Sequence, residues 1–318
     1  DVIEDVVEVV VDVVEDVIGW LVPMPDIPDF GENLQEQNAR GVLVNKINAN
    51  AHIPIIYGTR KVGGNIVFLE TSGTDNQYLY MALILSEGEI NAVSSLIIND
   101  NTVTLSGALT DGTQRTVASS DANFYSGSSL ITVEAHFGTD SQTASTLLST
   151  LSSWTSNHRL RGLAYLALRF EWNQDKFGSL PTVQAIVQGK KVYNPNLDST
   201  VTGGSGSHRA DTSTTWEYSD NPILQLLDYL RNERFGMGIA NSYFDSNFAD
   251  WQTATDVCNT NITPFSGASQ IDLMDSHTVV DTSKKAIDNV RDFIRGSRAY
   301  LNFSAGKYNI LVETTGSA

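Results

Sequence analysis

The chain opens with a regular pattern of apolar and acidic positions. Apolar side chains recur in steps of four and three and form one seam: Ile3, Val7, Val10, Val14, Val17 and Leu21. Acidic side chains such as Glu4 and Asp12 stay off the seam, which predicts an amphipathic helix over residues 1–22, about 30 Å long. β-branched residues at both core positions favour three or more strands, or packing against a wall, over a dimer. A solvated acidic arm is the alternative interpretation.

The pattern then changes twice. Residues 23–39 form a linker that Pro23, Pro25 and Pro28 keep extended and semi-rigid. Beyond it, short apolar runs between Gly, Asn and Asp turns predict strands over residues 53–57, 65–69, 78–86, 92–98, 130–137, 163–172, 183–187 and 190–193. Residues 99–150, rich in Ser, Thr and Gly, are interpreted as an insertion that turns helical near residues 143–151. Residues 200–214 read as a flexible Gly/Ser loop.

A helix with a glycine-marked exit follows from Asn221. Asn221 is expected to cap the helix, with Pro222 at its first position. Apolar side chains then recur at the spacing of one buried helix face: Ile223, Leu226, Leu227 and Leu230. The helix stops at residues 235–238, where two glycines indicate positive φ angles or close chain approach. Phe235 and Met237 are expected to plug against a neighbouring element.

Together these patterns predict an α+β fold, with several small β-rich domains (barrel-like or sandwich-like), a mixed α/β domain and the N-terminal amphipathic helix. Further helices are expected over residues 248–259 and 284–295, before a hairpin around Ala305 and Gly306. The expected divisions are residues 1–22 (acidic helix), 23–39 (linker), 40–98 (first β-domain), 99–153 (insertion), 154–215 (second β-unit with the Gly/Ser loop) and 216–318 (α+β domain).

Charge narrows the classes of function. The formal net charge is −17, and residues 1–39 hold eleven acidic side chains and no lysine or arginine. A transmembrane helix is excluded there, since each acidic side chain costs roughly 2.5 kcal/mol or more at mid-bilayer, and the basic start of an export signal is missing.

A basic patch lies near the other end: Lys284, Lys285, Arg291, Arg295 and Arg298. It reads as a solvated helix face suited to a neighbour's acidic surface, not as sequence-specific nucleic-acid recognition.

Candidate chemistry is sparse. The sequence lacks His-Glu-x-x-His, Gly-x-Ser-x-Gly and Gly-Lys-Ser/Thr motifs. Cys258 stands alone, which excludes an internal disulfide or a cysteine-built metal site. The histidines have no ligand spacing and are interpreted as local hydrogen-bonding residues: His52, His136, His158, His208 and His277. Glu87 and Glu89 offer no acid-base geometry. The sequence therefore predicts no enzyme, no cofactor and no metal.

Four stretches, taken in order, resemble the tail tip hub proteins of long-tailed bacteriophages, the lambda host-specificity protein J family. They are residues 52–64 with 75–80 and 87–90, residues 154–169, the Asn-Pro helix with its Arg-Phe-Gly-Met-Gly turn, and residues 282–312. The positions that carry the motifs are Pro54, Tyr57, Gly58, Gly63, Gly64, Asn221, Pro222, Arg234, Phe235, Gly236 and Gly238. The resemblance covers nearly all of residues 40–318.

The resemblance implies a structural virion protein at the distal tip of a phage tail, a homotrimeric hub that closes the tail tube. It implies a longer polypeptide with further domains downstream, and a non-contractile tail. The implied partners are other copies of the chain, the distal tube ring proteins, the tape measure protein, and tail fibre or receptor-binding proteins. Neither the insertion nor the N-terminal valine helix is a family hallmark.

Within this hypothesis the acidic helix has two uses. An acidic lumen lining would repel DNA phosphates and let the genome slide. Its wide valine face would instead hold the end of the tape measure protein, which we take as the primary use. The alternative class is a surface adhesin or carbohydrate-binding module that uses the Ser/Thr/Gly-rich loops with Trp154, Trp172 and Trp216. A cell-wall hydrolase, the third class, is disfavoured by the missing motifs.

Overall fold

The computed structural model describes residues 45–47, 51–177, 179–246 and 248–313. The chain divides into two units: unit 1 comprises Asp1–Ile53 and Lys61–Gln188, and unit 2 comprises Pro54–Arg60 and Gly189–Ala318. The chain therefore enters unit 2 briefly, returns to unit 1 and finishes in unit 2. The helix predicted over residues 1–22, with its seam from Ile3 to Leu21, lies outside the described residues, as does the linker over residues 23–39.

Short strands and three helices make up the regular structure of the described residues. The strands are β1 (Ile55–Ile56), β2 (Thr59–Val62), β3 (Asn65–Ser72), β4 (Tyr78–Glu87), β5 (Ile90–Ile98), β6 (Asn101–Thr102), β7 (Thr113–Thr116), β8 (Ile131–Phe137), β9 (Leu163–Glu171), β10 (Val183–Val192), β11 (Glu217–Tyr218), β12 (Asn261–Ile262), β13 (Ile271–Asp272), β14 (Val279–Val280), β15 (Ala299–Ser304) and β16 (Lys307–Val312). The helices are α1 (Pro222–Arg231), α2 (Ala249–Cys258) and α3 (Ala286–Ser297). The predicted α+β class is confirmed for this part of the chain.

Unit 1 is built on an antiparallel sheet in the order β3-β4-β9-β8-β7. Its central strands β4 and β9 have continuous apolar sequences, as expected for strands buried on both faces. Alternate β4 residues, Tyr80, Ala82 and Ile84, share one face because side chains alternate along a strand. Leu148 and Trp154, in the connection between β8 and β9, cover that face.

Residues 99–153, interpreted as an insertion, supply β7 and β8 to this sheet. The helix predicted near residues 143–151 is wrong, since one 3₁₀ turn, Leu148–Thr150, forms there. The Leu148 N–H donates to Ser145 Oγ, and the Thr150 hydroxyl donates to the Leu147 carbonyl, so side-chain oxygens replace backbone partners of a helix. Elsewhere, the two runs predicted within residues 183–193 form the single strand β10, within which the chain passes from unit 1 to unit 2.

Unit 2 packs its three helices into one apolar core, with representatives Leu226 from α1, Trp251 from α2 and Phe293 from α3. Small two-stranded sheets lie around them: β1 with β14, β12 with β13, and β15 with β16. α2 and α3 begin and end within about two residues of their predicted bounds, the usual uncertainty of helix ends. The predicted terminal hairpin is confirmed as β15–β16.

Composition predicts flexibility for residues 200–214, but a buried carboxylate anchors the start of this loop. Asp198 accepts hydrogen bonds from the Tyr193 hydroxyl (2.9 Å), the Thr200 N–H (2.9 Å) and Arg209 Nη1 (3.0 Å). Burial opposes ionisation of Asp198, yet these hydrogen bonds and the Arg209 charge lower its pKa. The loop is therefore tied to β10 through Tyr193.

Candidate functional site

The positions that carry the sequence motifs meet mainly at α1, and Asn221 fixes how that helix begins. Its Oδ1 accepts hydrogen bonds from the N–H groups of Ile223 (3.0 Å) and Leu224 (3.4 Å), with Pro222 at the first helical position. Its Nδ2 donates to the Thr255 carbonyl (3.1 Å) and to Asn259 Oδ1 (2.6 Å). One side chain thus caps α1 and ties it to the end of α2.

α1 is buried around its whole circumference, and not on one face as the periodicity predicts. Every residue from Pro222 to Leu230 is buried, including Gln225 and Asp228. A helix enclosed by other elements needs a partner for each polar side chain that it buries. Asp228 is the main case, because an isolated carboxylate in such an environment is strongly disfavoured.

Two groups from distant parts of unit 2 balance Asp228. The Tyr57 hydroxyl donates to Asp228 Oδ2 at 2.5 Å, and Lys190 Nζ lies 3.0 Å from Asp228 Oδ1. Burial raises the pKa of Tyr57 well above its usual value, and the Asp228 charge raises it further, so the phenol stays protonated and acts as the donor. The three side chains form a closed, charge-balanced group that holds β1, β10 and α1 together.

Aromatic rings surround the cations beside this group. Lys190 lies over the rings of Trp216 (5.3 Å) and Phe235 (5.8 Å), and Arg231 over Tyr193 (5.1 Å) and Trp216 (5.8 Å). Burial lowers the pKa of Arg231, although nearby Asp228 raises it. The ring faces stabilise two largely buried cations, Lys190 and Arg231.

The chain turns back sharply after α1. The N–H groups of Met237 and Ile239 donate to the carbonyls of Tyr229 (3.1 Å) and Leu230 (2.9 Å). A Cβ on Gly236 would lie 1.8 Å from the Tyr229 oxygen, so the glycine permits a close approach that no other residue allows. The predicted close approach is therefore present. Met237 is 40% exposed, so its predicted role as a plug is wrong.

The remaining motif positions separate between the units. Gly58 adopts φ +66° in unit 2, and a Cβ there would lie 2.3 Å from the Ser276 oxygen. Pro54 lies just before β1, also in unit 2. The glycine pair Gly63 and Gly64 forms the β2–β3 connection in unit 1. At the exit of α1, Phe235 is half-buried while Arg234 and Gly238 are exposed.

Unit 1 holds a second buried carboxylate that sequence reasoning missed. Glu134 lies 2.9 Å from His136 Nε2 and accepts hydrogen bonds from Ser145 Oγ (3.0 Å) and from the N–H groups of Thr146 (3.1 Å) and Leu147 (2.8 Å). Burial alone would raise the pKa of Glu134, but these hydrogen bonds lower it to about 2. Ser145 and His136 both bind the glutamate and not each other, so the group lacks the nucleophile-to-base contact of a hydrolase triad.

Three carboxylates of unit 2 also come together. Asp220, Asp272 and Asp275 place one oxygen each within 4.8 Å of one another. Burial raises the pKa of Asp275, and the charges of the other two raise it further. Such a set has the ligand chemistry of a divalent cation site, and acidic groups of this kind are common without an ion.

Sequence signals for these groups were present but weak. Asp228 interrupts an apolar helical run, and Glu134 occupies a strand of otherwise buried residues. A charged residue inside a buried pattern indicates a paired group, since unpaired charges are rarely buried. The identity of each partner is not local information, because Tyr57 and Asp228 are 171 positions apart.

Exposed apolar side chains distribute unevenly over the described residues. Unit 2 holds ten of the eleven large hydrophobic side chains that are exposed: Leu197, Met237, Tyr243, Phe265, Ile271, Leu273, Ile287, Tyr300, Phe303 and Leu311. The eleventh, Ile47, belongs to unit 1. Among the residues that the structure describes, unit 2 therefore exposes most of the large apolar side chains.

Comparison with known proteins identifies a relative. The chain is 25% identical over 317 residues to baseplate hub protein pb3 of Escherichia phage T5, an alignment that covers 82% of this chain and 32% of the relative. The chain thus spans about a third of the length of that curated relative. A solved structure of the virion of a native gene transfer agent particle matches with a TM-score of 0.44 and 13% identity, over 84% of this chain and 54% of that chain. No family model matches.

The similarity to this relative supports the interpretation of the chain as a structural protein of a phage tail or baseplate, and therefore of a virion. It agrees with the hub expectation at this coarser level and is not specific to the lambda protein J family. No helix among the described residues has the length and apolar character needed to cross a membrane.

Proposed function

We propose that this chain is a structural virion protein that forms, as a homotrimer, the central hub at the distal tip of a phage tail. The similarity to a baseplate hub protein is the observation that supports this proposal. In this role the hub closes the tail tube, anchors the tape measure protein, and connects to host-recognition elements for genome delivery. The buried carboxylates support a structural role, since each is satisfied within its own unit. Asp228 is bound by Tyr57 and Lys190. Glu134 is bound by Ser145 and by the N–H groups of Thr146 and Leu147.

Gold labelling tests the location. Antibody raised against this chain should label intact virus particles at the tail tip in electron micrographs. Label elsewhere on the particle would contradict the tip position. Label absent from particles, with the chain found on cell surfaces or in the medium, would instead favour the adhesin.

The tape measure contact is tested separately. Deleting residues 1–22 should weaken retention of the tape measure protein, because the valine seam from Ile3 to Leu21 would be removed. Retention is measured by the amount of tape measure protein that remains with purified tails. Unchanged retention and unchanged tail length would contradict this role.

A non-enzymatic hub should give no clearing in a cell-wall zymogram. For the adhesin alternative, the tryptophans offer little support: Trp154 is 4% exposed, and Trp172 and Trp216 are half-buried. A glycan-binding platform needs an exposed ring face. Binding to a glycan array would overturn the purely structural interpretation.

A further inference from the structure

The hairpin β15–β16, here called the ribbon, has one face in the core of unit 2 and one face in solvent. Ala299, Ile310 and Val312 are buried with the core. Tyr300 and Leu311 stand directly opposite each other on the two strands and are 61% and 68% exposed. Directly opposed side chains touch, so these two form a continuous apolar patch and not scattered single exposures.

The ribbon also has open edges. Among the described residues, β15 pairs with β16 and with no other strand, and the same holds for β16. Two-stranded ribbons are marginal alone, and unpaired edges accept strands from other chains. Phe303, 57% exposed near the turn, pairs with Tyr308 on the other face of the ribbon, so the outward apolar patch consists of Tyr300 and Leu311. The ribbon therefore combines unpaired strand edges with an exposed apolar patch.

The surroundings of the ribbon have the opposite charge to the molecule as a whole. Residues 284–312 contain six lysines and arginines against two aspartates, a net charge of +4 in a chain of net charge −17. Arg291 pairs with Asp288 (2.9 Å) and Arg295 with Asp292 (4.0 Å). In the described part of the chain, no carboxylate lies within ion-pair distance of Lys285 or Arg298. Uncompensated positive charge therefore flanks the apolar patch.

We propose that the ribbon and α3 form the docking surface for a second copy of this chain. Charge complementarity supports that partner, because the rest of each chain carries a net charge of −21, of which −11 lies in residues 1–39. Contact between a basic surface on one copy and an acidic surface on the next joins two different surfaces. Such head-to-tail contacts form a ring when the rotation between copies closes. The inference rests on the homotrimeric hub proposed above and names the surface through which the ring would form.

Sedimentation velocity of the full chain over a concentration series tests the proposal. The double variant Tyr300→Ser/Leu311→Ser removes the apolar patch from exposed positions, and Arg298→Glu reverses a flanking charge. Phe265→Ser is the matched control, since Phe265 is 72% exposed in unit 2 but lies outside the ribbon. Circular dichroism establishes that each variant is folded.

The wild type should self-associate, more weakly as salt concentration rises. The double variant should weaken association at least about tenfold, and the control should stay within about twofold of wild type. Arg298→Glu should weaken association and reduce its salt dependence.

Equal association of the double variant and the wild type would overturn the surface while leaving the hub intact. A wild type that stays monomeric, although gold label decorates tail tips, would do the same. Association through the ribbon without label on particles would instead overturn the hub.

Discussion

The two units solve the same packing problem in different ways. Unit 1 buries the apolar strands β4 and β9 within a five-stranded sheet and, among the described residues, leaves one large hydrophobic side chain exposed. Unit 2 relies on helices, two-stranded sheets and long-range polar links, and leaves ten exposed. A broad sheet satisfies its own backbone and apolar surface, whereas narrow ribbons leave both partly open. Unit 1 therefore leaves few large apolar side chains exposed, whereas unit 2 leaves more, as expected if unit 2 carries the docking surface proposed above.

The largest expected effect tests whether unit 2 depends on its buried charge. Asp228→Ala would leave Lys190 without its counterion and the Tyr57 hydroxyl without its acceptor. Losing one partner of a buried ion pair costs about 3–5 kcal/mol. Urea denaturation should show this loss, and hydrogen exchange should place it in peptides of unit 2. Asp211→Ala is the control, because Asp211 is 84% exposed. If Asp228→Ala lowers the free energy of unfolding no more than an inert Asp211→Ala does, the buried group is dispensable.

The matching test in unit 1 uses pH. The pKa of Glu134 is about 2 in the fold against an ordinary value of 4.5, so the unfolded chain takes up this proton first. The resulting stability is present above pH 4.5 and is lost as the pH falls toward 2, an effect of about 3 kcal/mol. Denaturation of wild type and Glu134→Gln at several pH values measures it. The variant should lose most of this acid dependence, and an unchanged pH profile would contradict the assignment.

The tight turn after α1 should tolerate no side chain. Gly236→Ala would force a Cβ against the Tyr229 oxygen and should cost about 1–3 kcal/mol of unit 2 stability. Gly296→Ala is the control, since no atom lies within 4 Å of its Cβ position and alanine favours the helix that contains it. Thermal denaturation of the two variants compares them. Equal melting temperatures would show that the turn can widen.

The smallest expected effect concerns the cap between two helices. Asn221→Ala removes hydrogen bonds to the start of α1 and the end of α2, and should cost about 1–2 kcal/mol. Asn221→Ser keeps a capping oxygen without placing a carboxylate against the oxygens of Thr255 and Asn259, and should recover the part due to the cap. Chemical denaturation resolves the two contributions. A fully stable Asn221→Ala variant would make the inter-helix link redundant.

Much of the local structure could be predicted from the sequence. The apolar runs place β3, β4, β5, β8 and β9, and the Asn-Pro pair places the start of α1 at Pro222. The helix near residues 143–151 does not form because hydroxyls replace backbone partners there, which apolar spacing does not register. The Leu148 N–H donates to Ser145 Oγ, and the Thr150 hydroxyl donates to the Leu147 carbonyl. The two-residue strands such as β12 and β14 escaped prediction because they are too short to show a period.

By itself the sequence determined the local elements, the cap at Asn221, the glycine turn at Gly236 and the asymmetric charge. The tertiary structure decided that Tyr57 and Lys190 meet Asp228, that His136 and Ser145 share Glu134, and that α1 is enclosed on every side. The physical reason is the separation along the chain over which each interaction acts. Periodicity and capping act over a few residues, whereas the partner of a buried charge is chosen by packing across the whole unit.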